Sequence, residues 1–440
     1  MKVGVISLGC SKNRVDTEMM LGILRRAGYE ITANEADADI LIVNTCGFIE
    51  SAKQESIDTL LSLTKYREKG HLRLLVATGC LSQRYPEDLA QGLPEVDAFL
   101  GVNQYEKLPE ALAAALRGDR PVLTERDSHI LCESRVLTTP PYTAYTRIAD
   151  GCDNRCAYCA IPLIRGGFRS VPMEEVLSEI RALAAQGVKE HVLIAQDTSR
   201  YGIDFAGRSL LPELMERAAD IPGVEWLRVL YCYPDEVDES LLRAMAAHPN
   251  ICKYLDLPLQ HADPEMLHRM NRRGDISRTE AFLQKARDMG FTLRTTCITG
   301  FPGETEAQFE TLLRFVERVR FDRLGAFAFS PEDDTPAAEM ADQLPEEVKE
   351  ERLDRLMRLQ QGISLERNQM RIGEECKVLV ERVRENGVAV GRSPAEAPET
   401  DGEIYLSGVS ENAIGEFIPA RITDAMEYDL FAEPTEEAQA

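Results

Sequence analysis

The chain has 440 residues, too many for a single hydrophobic core, so two to four domains are expected. Its 74 acidic against 50 basic residues leave a net charge of −24, which opposes a phosphate backbone and favours a basic protein partner, although acidity also serves plain solubility. No run approaches membrane-spanning length and no cleavable hydrophobic segment follows the short apolar start at 1–8, so a cytoplasmic protein without membrane association is expected.

In chain order, residues 1–120 alternate between strand and helix. Apolar, β-branched runs at 3–8, 40–44 and 72–78 suit buried parallel strands, and helical patterns at 16–26 and 51–63 lie between them. This predicts a doubly wound α/β domain. Residues 121–140, with Pro121 and Pro140, read as a linker. Over 141–345, six strands are expected near 146–149, 191–195, 226–231, 253–257, 293–298 and 323–329. Helices are expected at 172–186, with Ser170 as its cap, and at 238–247, 278–289 and 306–319. Such regular repetition predicts a (βα)6 partial barrel of TIM type, with its chemistry at the carboxyl ends of the strands. Residues 346–369 read as a charged helical connector. Short apolar runs at 376–380, 388–390, 404–406 and 417–422 predict a small antiparallel, OB-like β-barrel over 370–440. That last segment carries 6 basic and 16 acidic residues, a net charge of 6 − 16 = −10.

Eleven cysteines in a reducing compartment argue against disulfides and for metal or cluster ligation. Cys152, Cys156 and Cys159 form C-x3-C-x2-C, a spacing that lets one loop hold one face of a cubane iron–sulfur cluster while leaving one iron open to a small molecule. Zinc is the competing reading, although it prefers four ligands in paired spacings. Cys10, Cys46 and Cys80 each follow one of the three amino-terminal strands, and parallel strands end on the same edge of a sheet. Three thiols so placed predict a second three-ligand site. Cys132, Cys232, Cys252, Cys297 and Cys376 share no spacing and read as packing, with a third site conceivable at Cys232 and Cys297.

The motif at 152–159 resembles that of the radical S-adenosylmethionine (SAM) superfamily. The resemblance implies a 4Fe–4S cluster whose free iron binds SAM and cleaves it to a 5′-deoxyadenosyl radical, with Tyr158 beside the cluster and Gly300, Gly303 and Glu304 of the GFPGE segment on the adenine side. Three amino-terminal cysteines, this motif and a terminal β domain, in that order, resemble the methylthiotransferase family along essentially the whole chain. The resemblance implies a second 4Fe–4S cluster at Cys10, Cys46 and Cys80, one SAM as methyl donor, another as radical source, and a terminal TRAM domain that recognises the macromolecular substrate. An external electron donor and sulfur source are implied as well.

Segments 7–13, 44–49, 147–165 and 257–261 are similar to the branch that modifies an aspartate of ribosomal protein S-twelve. The transfer-RNA branch typically has Gln-Met in place of Ser11-Lys12. A terminal domain of net −10 agrees, because it suits a basic ribosomal protein and repels RNA. The acidic stretch 332–334 also suits a basic target, but its segment mixes features of both branches.

Gln196 and Gln260 follow the second and fourth barrel strands, where they would contact cofactor or substrate. Asp197 there could bind SAM ribose or cap a turn, and His261 could relay a proton or bond locally. Arg165, Arg272 and Arg273 are candidates to pair with a carboxylate of SAM or of the target. Asn13 and Asp16 would orient the Cys10 loop, or Asp16 would cap the helix. Rival readings are a methylthiotransferase acting on N6-modified adenosine in transfer RNA, a non-catalytic iron–sulfur scaffold or electron carrier, and a different radical SAM reaction.

Overall fold

The computed structural model describes residues 1–125 and 135–435, so Cys132 and part of the expected linker lie outside the described residues. Six parallel strands, β1 (Lys2–Ser7), β2 (Glu30–Ile31), β3 (Ile40–Thr45), β4 (Leu74–Gly79), β5 (Ala98–Leu100) and β6 (Val122–Leu123), form the first sheet in the order β2-β1-β3-β4-β5-β6. The alternation of β3 explains the layers. Ile40 and Ile42 pack with Val15, Met19 and Leu24 of helix α1 (Ser11–Arg26), and Leu41 and Val43 pack with Leu60 and Leu63 of helix α2 (Glu50–Leu63) on the opposite face. This is the doubly wound domain expected. β6, however, falls where a linker was read, because a two-residue edge strand is too short to show a period.

The next strands are β7 (Thr143–Arg147), a two-strand pair β8 (Ala149–Asp150) and β9 (Arg169–Ser170), then β10 (Glu190–Ile194), β11 (Trp226–Val229), β12 (Tyr254–Asp256), β13 (Thr292–Thr299) and β14 (Arg323–Ala328). β7, β10 and β11 run parallel, as do β12, β13 and β14, and a parallel bridge between Leu227 and Ile251 links the two groups. The six long strands thus make the open, curved sheet expected. Ser170 does not cap the following helix. Pro172 is the N-cap of Met173–Ala184 and holds the chain extended, and Ser170 instead accepts a hydrogen bond from the Gly202 N–H at 2.9 Å.

The helix Glu346–Gln369 lays Leu356 and Ile363 into the barrel core. It leads to a closed barrel of β15 (Glu375–Val383), β16 (Ala389–Arg392), β17 (Ile404–Leu406), β18 (Phe417–Ala425) and β19 (Leu430–Pro434), in the order β15-β16-β17-β19-β18. The expected barrel is present, but it is not wholly antiparallel: β17 and β19 pair in parallel. A ring of five strands cannot alternate direction all the way round, so one parallel pair is unavoidable. β19 escaped the sequence reading because its apolar pair Leu430-Phe431 sits between Asp429 and Glu433. Among the described residues, no helix is long and apolar enough to cross a membrane.

Candidate active site

Neighbouring parallel strands bring the amino-terminal thiols together. Ser7 pairs with Asn44 and Thr45 with Gly79, so Cys10, Cys46 and Cys80 leave β1, β3 and β4 on one edge. Gly9 has φ +85°, and a Cβ there would lie 3.0 Å from Cys46 Cβ and 3.1 Å from its Sγ, so only glycine lets the two loops touch. Gly79, at φ +95°, would drive a Cβ to 2.3 Å from Asn44 Oδ1. Asn13 ties the loops by donating to Leu8 O and Thr45 O, both at 3.0 Å, while its Oδ1 lies 3.4 Å from Cys80 Sγ. Cys10 is the N-cap of α1 and Cys80 begins the helix Cys80–Arg84, so two thiols sit at helix amino ends, where negative charge is favoured. Burial pushes the Cys80 thiol up to about 12, against the pull of Arg165, and the neighbouring Cys10 and Cys46 add to the rise. Burial raises Cys46 as well. With Cys80 buried, Cys46 half-buried and Cys10 exposed, the crowded thiols fit a cationic iron cluster reached from one side, whose binding reverses such shifts.

The second triad hangs from the loop between β8 and β9. Cys152 N–H donates to Gly166 O at 3.1 Å and Ala157 N–H to Met270 O at 2.9 Å, pinning the loop across the strand ends. Burial pushes the Cys152 thiol up to about 11 and raises Cys159 further, with Cys156 contributing to both. Arg272 lies 3.8 Å from Cys156 Sγ, donates to Tyr158 OH at 3.2 Å and to Pro258 O at 2.7 Å, and stacks on the Tyr233 ring. It therefore faces a thiol and a phenol rather than a carboxylate, and Arg273 is exposed. Tyr158, within the loop, packs against the cluster of Met266, Met270, Ile298 and Phe301.

Gln196 stands past β10 with its Oε1 buried and without a hydrogen-bond partner among the described residues. Gln260 has a left-handed backbone and bridges to Cys297. Gly300 and Gly303 also turn left-handed, but the carboxylate of Glu304 points away from the cleft. It accepts from Gly300 N–H at 2.8 Å, from Arg352 at 2.5 Å and from His261 Nε2 at 3.0 Å. His261 Nδ1 accepts from Asp263 N–H, so this histidine bonds locally and holds the glycine turn. Asp197 accepts from Asn154 at 2.7 Å and from Ser199, tying the cysteine loop to the end of β10. Cys232 and Cys297 are buried within the barrel core as packing, and Cys252 and Cys376 are elsewhere. Among the described residues, no group of three or more His, Cys, Asp or Glu side chains converges as a single metal ion requires.

The carboxyl edges of the two sheets face each other. Arg165, on the helix Ile161–Arg165 that follows Cys159, reaches Asp16 at 2.7 Å, Asp150 at 3.0 Å, Asn13 Oδ1 at 2.9 Å and Cys80 Sγ at 3.8 Å. It thus pairs with the protein's own carboxylates, and Asp16, deep within α1, also receives Arg147 instead of capping the helix. Arg165 pulls Asp150 well below the ordinary carboxylate range, against its burial. Glu332 is 3 % exposed and binds Arg84 at 3.1 Å and Lys53 at 3.3 Å, so this acid in 332–334 joins the two domains rather than facing a target. Sequence reading missed Arg147, Asp150, Arg84 and Glu332 as a set. For Arg147 and Asp150, charges embedded in otherwise apolar strand ends were the available signal.

Comparison with known proteins agrees. Residues 2–101 match the uncharacterized protein family UPF0004, 146–316 the radical SAM superfamily and 372–434 the TRAM domain. Among solved structures, a radical SAM methyltransferase, TsrM, from Kitasatospora setae, with cobalamin and a [4Fe-4S] cluster bound, is 16% identical, with 77% of this chain and 76% of that chain covered and a TM-score of 0.58. At that identity the likeness shows the fold alone. Ribosomal protein uS12 methylthiotransferase RimO of Desulforamulus reducens is 50% identical over 98% of this chain and 99% of its own length, and that of Heliobacterium modesticaldum 49% identical over 99% and 96%. Sharing about half its residues with these proteins from end to end, the chain belongs to the RimO family of methylthiotransferases in the radical SAM superfamily.

Proposed function

We propose that this protein attaches a methylthio group to the β-carbon of an aspartate of ribosomal protein uS12, in the cytoplasm, with an external electron donor and sulfur source. The observation that carries the reading is the pairing of two cysteine triads across one interface, joined through Arg165, in a chain whose relatives bear that name. Cys10, Cys46 and Cys80 would hold one 4Fe–4S cluster and Cys152, Cys156 and Cys159 the other, each with three thiolates. When bound, the clusters and two molecules of SAM supply the methyl group, the sulfur and the radical that opens the C–H bond.

The chain's own residues set the stage for this. Asn13 fixes the loops of the first triad, Arg272 and Tyr158 flank Cys156, and Gln196, Gln260, Gly300 and Gly303 line the strand ends where SAM would lie. The Arg84–Glu332 and Arg165–Asp16 pairs hold the domains against each other. A non-catalytic scaffold would have no use for such strand-end residues.

The terminal domain selects the partner by charge, although Glu396 and Asp401 face the barrel and so reduce the acid displayed. Transfer RNA is disfavoured by the remaining excess. The test is to offer anaerobically reconstituted protein, with SAM, reductant and sulfide, both uS12 and N6-modified-adenosine transfer RNA, and to find the adduct by mass spectrometry. A methylthio group on an aspartate of uS12, with RNA untouched, supports the reading; an adduct on RNA alone overturns the choice of partner.

A further inference from the structure

We infer that Lys12 binds the carboxylate of the target aspartate and makes the enzyme prefer aspartate to its neutral analogue asparagine, an inference that rests on the proposed uS12 activity. Lys12 is the second residue of α1, close after Cys10, and is only 7 % exposed. Its Nζ lies 2.9 Å from the centroid of the Tyr231 ring. Among the other buried cations of the interface, Arg165 and Arg147 pair with Asp16 and Arg84 and Lys53 with Glu332, while Arg272 donates to the Tyr158 hydroxyl and lies against Cys156. Lys12 has no carboxylate within ion-pairing distance among the described residues, and an aromatic face satisfies at most part of an ammonium with three N–H donors. A lysine so largely buried, its ammonium without an anionic partner, favours a small anion that brings its own oxygens.

Its surroundings are rigid. Tyr231 sits just past β11 in a left-handed conformation, φ +66°, that a tyrosine rarely adopts. It is locked there by Asp256, which accepts its N–H at 2.8 Å and is itself held by Arg294 at 2.7 Å, and by Thr198, whose N–H donates to Tyr231 O at 3.0 Å. Ser11 Oγ lies 3.5 Å from the Tyr231 hydroxyl. The ammonium is therefore fixed over the Tyr231 ring at the end of β11, on a residue two positions after Cys10, as pre-organised recognition requires. In aspartate the carboxylate is bonded directly to the β-carbon, so holding it places the reacting carbon one bond away. A neutral amide offers that ammonium a carbonyl oxygen but no opposite charge, and so a weaker bond.

The test uses reconstituted holoenzyme, wild type and Lys12→Met, Lys12→Gln and Lys12→Arg. Each is titrated, with SAM present, with uS12 and with uS12 whose modified aspartate is replaced by asparagine. Wild type is expected to bind the aspartate form at least about 10-fold more tightly. Both neutral variants are expected to lose most of that preference while keeping wild-type iron content, electron paramagnetic resonance signal and SAM cleavage without uS12, and Lys12→Arg to restore part of it. An unchanged preference in the neutral variants overturns the proposal. So does loss of iron or an altered cluster signal in both of them, since Lys12 would then balance cluster charge. Wild-type enzyme that modifies no aspartate of uS12 overturns the reading of function itself, an outcome that no Lys12 variant can mimic.

Discussion

Cys152, Cys156 and Cys159 hang from one loop between β8 and β9, whereas Cys10, Cys46 and Cys80 leave three separate strands of the first sheet. The loop triad needs only local turns and the bonds that pin it to Gly166 and Met270. The strand triad needs the register of β1, β3 and β4, the close approach allowed by Gly9 and Gly79, and the reach of Asn13. A site assembled from distant strands shares its stability with the domain that carries it, and a site on one loop does so far less.

The largest expected effect separates the two triads outright. Cys156→Ala and Cys46→Ala should each lower iron to roughly half that of wild type, since each triad would hold its own cluster. Reductive SAM cleavage should vanish in Cys156→Ala and persist in Cys46→Ala, with methylthio transfer lost in both. Iron analysis and the yield of 5′-deoxyadenosine check this; cleavage lost in Cys46→Ala would collapse the distinction. Next comes Arg165, where the triads meet. Arg165→Met leaves Asp16 and Asp150 buried with fewer partners and should cost about 3–5 kcal/mol in denaturant unfolding of the metal-free protein. Arg165→Lys should recover only part, because one ammonium cannot reproduce a fork that reaches two carboxylates and Asn13. Full recovery with lysine would show that charge alone matters there.

The same contrast explains what could be read from the sequence. C-x3-C-x2-C is a local pattern and legible as such, and the strand triad became legible once three cysteines were seen to follow three parallel strands, because topology supplies the convergence. Strand and helix patterns likewise led to the doubly wound domain, the curved parallel sheet and the small barrel. The side-chain partnerships had no such signal. Nothing local in the sequence says that Arg165 meets Asp16, that Glu304 turns inward to Arg352, or that Glu332 faces Arg84. Each is a contact between segments far apart in the chain, set by how domains dock. Short elements such as β6 and β19 were lost for the opposite reason, since two or three apolar residues carry no period.

A smaller effect is expected at the contact that closes the mouth beyond β14. Glu332→Ala removes the carboxylate that Arg84 and Lys53 share and the acceptor for Glu50 N–H. Asp333 and Gly47 O remain as partners, so the loss should be about 2–3 kcal/mol rather than that of a fully orphaned pair. Hydrogen exchange should quicken in 80–86 and 329–336 and stay unchanged in the small terminal barrel. Uniform quickening would mean that this contact supports the whole fold and not the mouth alone.

The smallest effect concerns the terminal barrel, which bears no cysteine of either triad. Glu190 in β10 binds Arg392 of β16 at 2.6 Å and Arg228 at 3.1 Å. Burial alone would raise its pKa, but the two arginines overcome that and hold it at about 2. Glu396, between Arg371 and Arg323, is likewise held at about 2. A carboxylate whose folded pKa lies below its unfolded value stabilises fully above the ordinary range near 4.5, and that contribution fades as pH falls toward 2. Acidification should therefore loosen the junction between the two barrels. The chain's one tryptophan, Trp226, packs edge-on to Phe417 of β18 with ring centroids 4.7 Å apart, so its fluorescence reports this junction. Glu190→Gln should flatten the fall in stability between pH 4.5 and 2 by up to one proton, about 1.4 kcal/mol per pH unit, when urea unfolding is followed by that fluorescence. Parallel curves for the two proteins would assign the acid sensitivity to other groups and leave the junction held by packing.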